Sequence, residues 1–239
     1  MPPTTLAKQR KIAIVGSRSV GKSSLAVRYV DGHFVESYYP TIENTFSKEI
    51  RYKGQEFATE IVDTAGQDEY SILNSKHFIG IHGYMLVYSV SSLQSFEMVQ
   101  VIRDKILNHL VRTPRPLPSD PPLPITTPHH TTPHTSYHTT TNPPPNPTKP
   151  NQIQLTTPQK QGTETVPICI VGNKCDLRPE QRQVTAEEGK ALADKHGCAW
   201  TEASARYNEN VAKSFELLIG EVEKSQNPGE PSGGGKCGG

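Results

Sequence analysis

Residues Gly16-Ser17-Arg18-Ser19-Val20-Gly21-Lys22-Ser23 follow the pattern G-x-x-x-x-G-K-[ST] without a gap. Glycines let such a loop curl until its backbone N–H groups point at a phosphate. Lys22 brings a full positive charge to the outer phosphates, and the Ser23 hydroxyl can reach Mg²⁺. The setting agrees with this chemistry. The apolar run KIAIVG at 11–16 reads as a buried strand, and 22–31 reads as a helix with Leu25, Ala26 and Tyr29 on one side. The phosphate would then also meet a helix N-terminus and its partial positive charge.

Two further clusters follow apolar runs. Asp63-Thr64-Ala65-Gly66-Gln67 ends the segment FATEIV. A carboxylate at that point can hold a Mg²⁺ shell through water, Gly66 lets an N–H approach a terminal phosphate, and Gln67 can orient a water. Asn173-Lys174-Cys175-Asp176 ends the run PICIVG at 167–172. A carboxylate there can accept from the ring N–H and the exocyclic amine of guanine. Adenine lacks that donor pair and would leave the carboxylate unpaired.

These clusters need a frame that gathers strand ends. Alternating segments at 45–53 and 56–62 flank Tyr52-Lys53-Gly54-Gln55, a hairpin signal. A buried strand is expected at 84–90 and a helix over 94–111, with Phe96, Val99, Ile102, Ile106 and Leu110 at three- and four-residue steps. Strands at 167–172 and 198–203 alternate with helices at 185–196 and 208–224, the last with Val211, Phe215, Leu218 and Val222 on one face. The alternation predicts an α/β fold: a mostly parallel six-stranded sheet, helices on both faces, one antiparallel edge strand.

Composition adds one anomaly. Of 21 prolines in the chain, 14 fall within residues 112–165, with 14 threonines and six charged residues. Proline removes backbone donors, and so little apolar surface cannot offset the entropy of ordering. The expected organisation is a flexible start at 1–9, one domain made of 10–111 and 166–224, a disordered insert at 112–165 and a Gly-rich tail at 225–239. The net charge of +1 gives no reason to expect a nucleic-acid partner. No apolar run approaches the roughly 20 residues of a membrane span, and the start lacks the apolar core of a signal peptide. Cys169, Cys175, Cys198 and Cys237 form no CxxC pair, so free thiols in a reducing compartment are expected. A cytoplasmic location follows.

The phosphate loop, Pro40-Thr41-Ile42-Glu43, DTAGQ, NKCD and Ser204-Ala205-Arg206 together resemble the five guanine-nucleotide signatures of Ras-like small GTPases, in family order. GSRSVGKSS, SYYPTIENTFSKEI and DTAGQDEYSIL are similar to the Rheb subfamily, where arginine and serine replace loop glycines. The resemblance covers about 8–111 and 166–224. It implies a P-loop GTPase fold and a GTP-hydrolysing switch that takes GTP or GDP with Mg²⁺. It implies nucleotide contacts from Ser19, Val20, Gly21, Lys22, Ser23, Ser24, Val35, Tyr38, Thr41, Gly66, Asn173, Lys174, Asp176, Ser204 and Ala205. Ala205 would offer its N–H to the guanine carbonyl. Ser23, Thr41 and Asp63 would serve the metal, and Gln67, Thr41, Lys22, Tyr38 and Arg18 the hydrolysis. Arg18 would make Gln67 a weaker orienter of water, so the intrinsic rate would be slow and raised by a GTPase-activating protein. Thr41 to Asn44 and 67–75 would meet an effector, a TOR-like kinase complex, with the chain a monomer. Rheb proteins end in a C-a-a-X box, but Cys237 is followed by only two glycines, so prenylation and membrane attachment are not expected as written. Two other readings stay open: a nucleotide-locked scaffold without turnover, and an ATP-using P-loop protein, against which Asp176 speaks.

Overall fold

In KQRKIAIVG, polar residues come first and four apolar residues follow, so the strand starts wet and ends buried. The computed structural model, which describes residues 7–37, 39–68, 79–112 and 166–227, has this segment as β1, Lys8–Gly16. Helix α1 (Lys22–Asp31) follows, then β2 (Glu43–Tyr52), β3 (Gln55–Thr64), β4 (Gly83–Ser89), α2 (Leu93–Arg112), β5 (Ile168–Asn173), α3 (Ala186–His196), β6 (Ala199–Ala203) and α4 (Val211–Gln226). The six strands lie in the order β2-β3-β1-β4-β5-β6. All neighbouring pairs run parallel except β2 with β3.

Burial on both faces explains the apolar runs. Ile12 and Ile14 of β1, Met85 and Val87 of β4, and Cys169 and Val171 of β5 share one core with Leu25 of α1 and Phe215 and Leu218 of α4. Ala13 and Val15, Leu86 and Tyr88, and Ile168 and Ile170 share the other with Val99, Ile102 and Ile106 of α2 and Ala193 of α3. Tyr29 of α1 stacks on Phe215 of α4, with ring centroids 4.1 Å apart.

The β2–β3 hairpin turns on Lys53 and Gly54, both at positive φ, the two-residue loop that suits the strand twist. Every element bound lies within three residues of the sequence expectation, and three of the differences bear on the two ends of the domain. β1 begins at Lys8, because Lys8 and Gln9 pair with Phe57 and Ala58, and Lys8 and Arg10 both meet Glu223 of α4. The start therefore lends two residues to the sheet. α4 begins three residues later than expected: Asn208 and Asn210 take left-handed φ of 60° and 51°, which no helix continues. It ends at Gln226, inside the segment read as tail. The insert beyond Arg112, Tyr38, most of 67–75 and the chain beyond 227, with Cys237, lie outside the described residues.

Four chemistry-bearing loops leave the carboxyl ends of β1, β3, β5 and β6. Parallel strands put those ends on one edge of the sheet. β1 sits between β3 and β4, where the connections diverge to opposite sides, the position at which such sheets take ligands.

Candidate active site

The phosphate loop is held by its own backbone shape and by one side chain from afar. Gly16 (φ 149°) lies against β4; a Cβ there would stand 2.2 Å from the Val87 carbonyl oxygen. Gly21 (φ 95°) is pressed by Asn173, whose Nδ2 would lie 2.2 Å from a Cβ. That Nδ2 donates to the Val20 carbonyl at 2.9 Å, and Asn173 Oδ1 accepts from Ala205 N–H at 3.3 Å. Lys174 adds a second tie, with Nζ donating to the Ser19 carbonyl at 2.9 Å. Asn173 thus joins the phosphate loop to the Ser204-Ala205 loop through its side chain, and Lys174 ties the phosphate loop to the end of β5.

Lys22 is buried, and its Nζ donates to the carbonyls of Gly16 (3.0 Å) and Ser17 (2.9 Å) inside the loop. Burial pulls its pKa down to about 8, with the nearby Asp63 carboxylate opposing. Asp63 is also buried, which pushes its pKa up against the Ser23 hydroxyl and the Lys22 charge. Asp63 Oδ1 has no hydrogen-bond partner among the described residues. Ser23 Oγ and Thr41 Oγ1 face each other at 2.8 Å, although Thr41 lies on the exposed segment before β2. Two hydroxyls and an unpaired carboxylate oxygen make an oxygen-only donor set, which suits Mg²⁺.

Gln67 is turned inward and only 7 % exposed. Its Nε2 donates to Thr64 Oγ1 at 3.0 Å and to the Ala65 carbonyl at 3.1 Å, and its N–H bonds Gly16 O at 3.0 Å. Gly66 has a neighbour the sequence did not suggest. Arg18 lies across it, and a Cβ on Gly66 would stand 2.4 Å from Arg18 Cγ. The Arg18 guanidinium itself is exposed, 3.7 Å from Asp68. Ser24 follows Ser23 in the first turn of α1 and is half-buried.

At the base end, Asp176 is half-buried at the start of the loop after β5, and Lys174 feels its charge. Ser204 is fully buried; its Oγ accepts from Tyr207 N–H at 3.1 Å, and its backbone exchanges both bonds with Glu209. Ala205 is 3 % exposed. Val35 is exposed, next to Phe34, which packs on the α1–α4 core. Sequence reasoning missed two contributors. Thr64 donates its hydroxyl to Ile14 O at 2.8 Å while accepting from Gln67. Arg28 reaches from α1 to the carbonyls of Ala205 and Arg206. Thr64 lies inside the Asp63-Thr64-Ala65-Gly66-Gln67 cluster, where it was given no role of its own; Arg28 lies outside every short motif, and nothing local in the sequence points to it.

The sequence model of the Ras family matches residues 11–117 and 150–224, so both flanks of the site fall within it. The chain belongs to the Ras family. The small monomeric GTPase RhbA of Aspergillus fumigatus and the GTP-binding protein rhb1 of Schizosaccharomyces pombe are each 57 % identical to it over 230 residues, covering 96 % of both chains. The GTP-binding protein Rheb of Homo sapiens is 41 % identical over 218 residues, covering 91 % of this chain and 90 % of its own. These relatives put the chain in the Rheb branch of the family. It is a GTP-binding and GTP-hydrolysing switch that takes GTP or GDP with Mg²⁺, and such switches work through regulators and effectors.

Proposed function

We propose that this chain is a slow, guanine-selective switch that needs a GTPase-activating protein to turn over quickly and signals to a TOR-like kinase complex. The observation that carries guanine selectivity is Asn173, which bonds the phosphate loop and Ala205 at once and so makes one site of two. Asp176, three residues on, then stands where a guanine ring presents its N–H and amine. Backbone N–H groups of Ser19 to Ser24 and the Lys22 ammonium receive the phosphates. Ser23, Thr41 and Asp63 would hold Mg²⁺, whose charge would offset that of the phosphates.

The low intrinsic rate is read from Gln67. Its amide nitrogen is already engaged with Thr64 and Ala65, so it orients a water poorly. A partner would supply what the site lacks, as an inserted arginine does in phosphoryl transfer. Tyr38 and Arg18 stay assigned to the same region. The effector reading is supported by Tyr39 and Ile42, large apolar side chains 76 % and 90 % exposed beside Thr41.

The cytoplasmic assignment is supported by Cys169, Cys175 and Cys198, which are free thiols. Residues 112–165 are assigned as a tolerated insert. α2 ends at Arg112 and β5 begins at Ile168, at the end of β5 opposite to Asn173, and the Ras family match skips 118–149. Deleting 112–163 should leave GTP affinity within about threefold, since loop length costs only the logarithm of its span. The decisive test is nucleotide competition on the full chain: GTP and GDP should displace a labelled guanine nucleotide at concentrations where ATP does not. Equal displacement by ATP would overturn guanine selectivity. Single-turnover hydrolysis separates the switch from a locked scaffold: no phosphate release, with or without a cell extract containing activating proteins, would favour the scaffold.

A further inference from the structure

We propose that Arg28 is a positioning residue for guanine recognition: reaching from α1, it fixes the Ala205 peptide and thereby sets how selectively the guanine carbonyl is held. The proposal rests on the reading of Ala205 as the residue whose N–H meets that carbonyl.

Arg28 lies in the last turn of α1. Its Nε donates to the Ala205 carbonyl at 2.8 Å, one terminal nitrogen to the Arg206 carbonyl at 2.6 Å, and the other to the Gly32 carbonyl at 2.9 Å. One planar group thus serves three carbonyls on two segments far apart in sequence. A helix cap needs much less. Gly32 N–H already closes α1 on the Arg28 carbonyl at 3.2 Å, and a cation near the last turn would favour the helix dipole without reaching a distant loop.

The effect at Ala205 is bilateral. Asn173 Oδ1 holds its N–H, while Arg28 Nε holds its C=O. With both sides gripped, the two peptide units that meet at Ala205 cannot rotate independently; the N–H bond to Asn173 is long at 3.3 Å, so the same N–H, already held in direction, can be shared with the guanine carbonyl when a base arrives. Arg28 is also six residues from Lys22 on the same helix, about 9 Å along its axis. α1 therefore acts as a rigid spacer between the phosphate loop and the base loop. Beyond it, Arg206 pairs with Glu36 at 3.3 Å, an exposed contact that adds little. Lysine cannot replace this arrangement, because a compact ammonium does not offer three donors in a fixed plane.

The test measures dissociation of GDP and of 6-thio-GDP from the full chain with Mg²⁺, for the wild type, Arg28→Gln and Arg28→Lys. The analogue keeps the ring N–H and amine but replaces the carbonyl oxygen with a poorer acceptor. The wild type should release the analogue faster than GDP. Arg28→Gln should speed GDP release by about tenfold, the effect of one buried hydrogen bond or two, and the analogue by about twofold at most, so that the preference collapses. Arg28→Lys, the milder variant, should behave the same way in smaller degree. If both nucleotides leave faster by one common factor, or GDP release is unchanged, Arg28 is only structural and the proposal is overturned. If the wild type already releases both equally, the Ala205 reading fails and the proposal falls with it.

Discussion

At the base end of the site the protein satisfies itself. Both amide atoms of Asn173 are used, Lys174 is bonded to the Ser19 carbonyl, Ser204 is bonded through backbone and side chain, and Arg28 closes on Ala205. At the phosphate end, three buried oxygens, Ser17 Oγ, Asp63 Oδ1 and Gln67 Oε1, have no partner among the described residues. A buried lysine there spends its protons on the loop's own carbonyls. Unpaired buried oxygens cost free energy, so they are tolerated where a ligand completes them. The end proposed for the base is thus preformed, whereas the end proposed for the phosphates is a set of groups whose energetics a charged ligand would finish. Selectivity should belong to the first and affinity to the second.

The sharpest way to break this division is at Asp176. Asp176→Asn should lower GTP affinity by about 10²-fold or more and improve the relative binding of xanthosine triphosphate, whose ring presents an acceptor where guanine presents a donor. Unchanged GTP affinity in a competition titration would remove the base assignment. Lys22→Met addresses the other end. It should weaken GTP and xanthosine triphosphate alike, by roughly 10²-fold, leaving their ratio as in the wild type, because a charge on phosphate reads no base. A changed ratio would mean that the two ends are not separable.

Asn173→Ala sits on the seam. It removes the bonds to Val20 and Ala205 together, so affinity should fall by about tenfold to 10²-fold and selectivity should fall too. Loss of affinity with selectivity intact would assign Asn173 to the phosphate end alone. The smallest effect is expected at Gln67. With its amide turned inward, Gln67→Leu should change intrinsic single-turnover hydrolysis by less than about tenfold, because little water-orienting action is there to lose. A much larger loss would show that the side chain leaves its inward position during turnover.

Much of this was legible in residue order. A phosphate loop is a local object: spacing, glycines and the following helix define it without help from distant chain. Apolar runs and the alternation of the hairpin located all six strands to within three residues, and parallel order put the ends that carry chemistry on one edge. The hairpin turn, a two-residue event, was equally local. Element ends were less legible. β1 starts at Lys8 because of Phe57 and Glu223, residues far along the chain that no local pattern reveals.

What the sequence by itself determined was the inventory: which groups could bind phosphate, metal and guanine, and that strands and helices alternate so as to assemble them. Only the tertiary structure decided how those groups are committed. It joined Asn173 to the Val20 carbonyl, Lys174 to the Ser19 carbonyl and Arg28 to the Ala205 carbonyl. The reason is physical. A motif records residue types at short range, where the backbone dictates geometry, whereas a hydrogen bond across more than a hundred residues depends on which strand ends become neighbours. That neighbourhood is set by the packing of two apolar cores on one sheet.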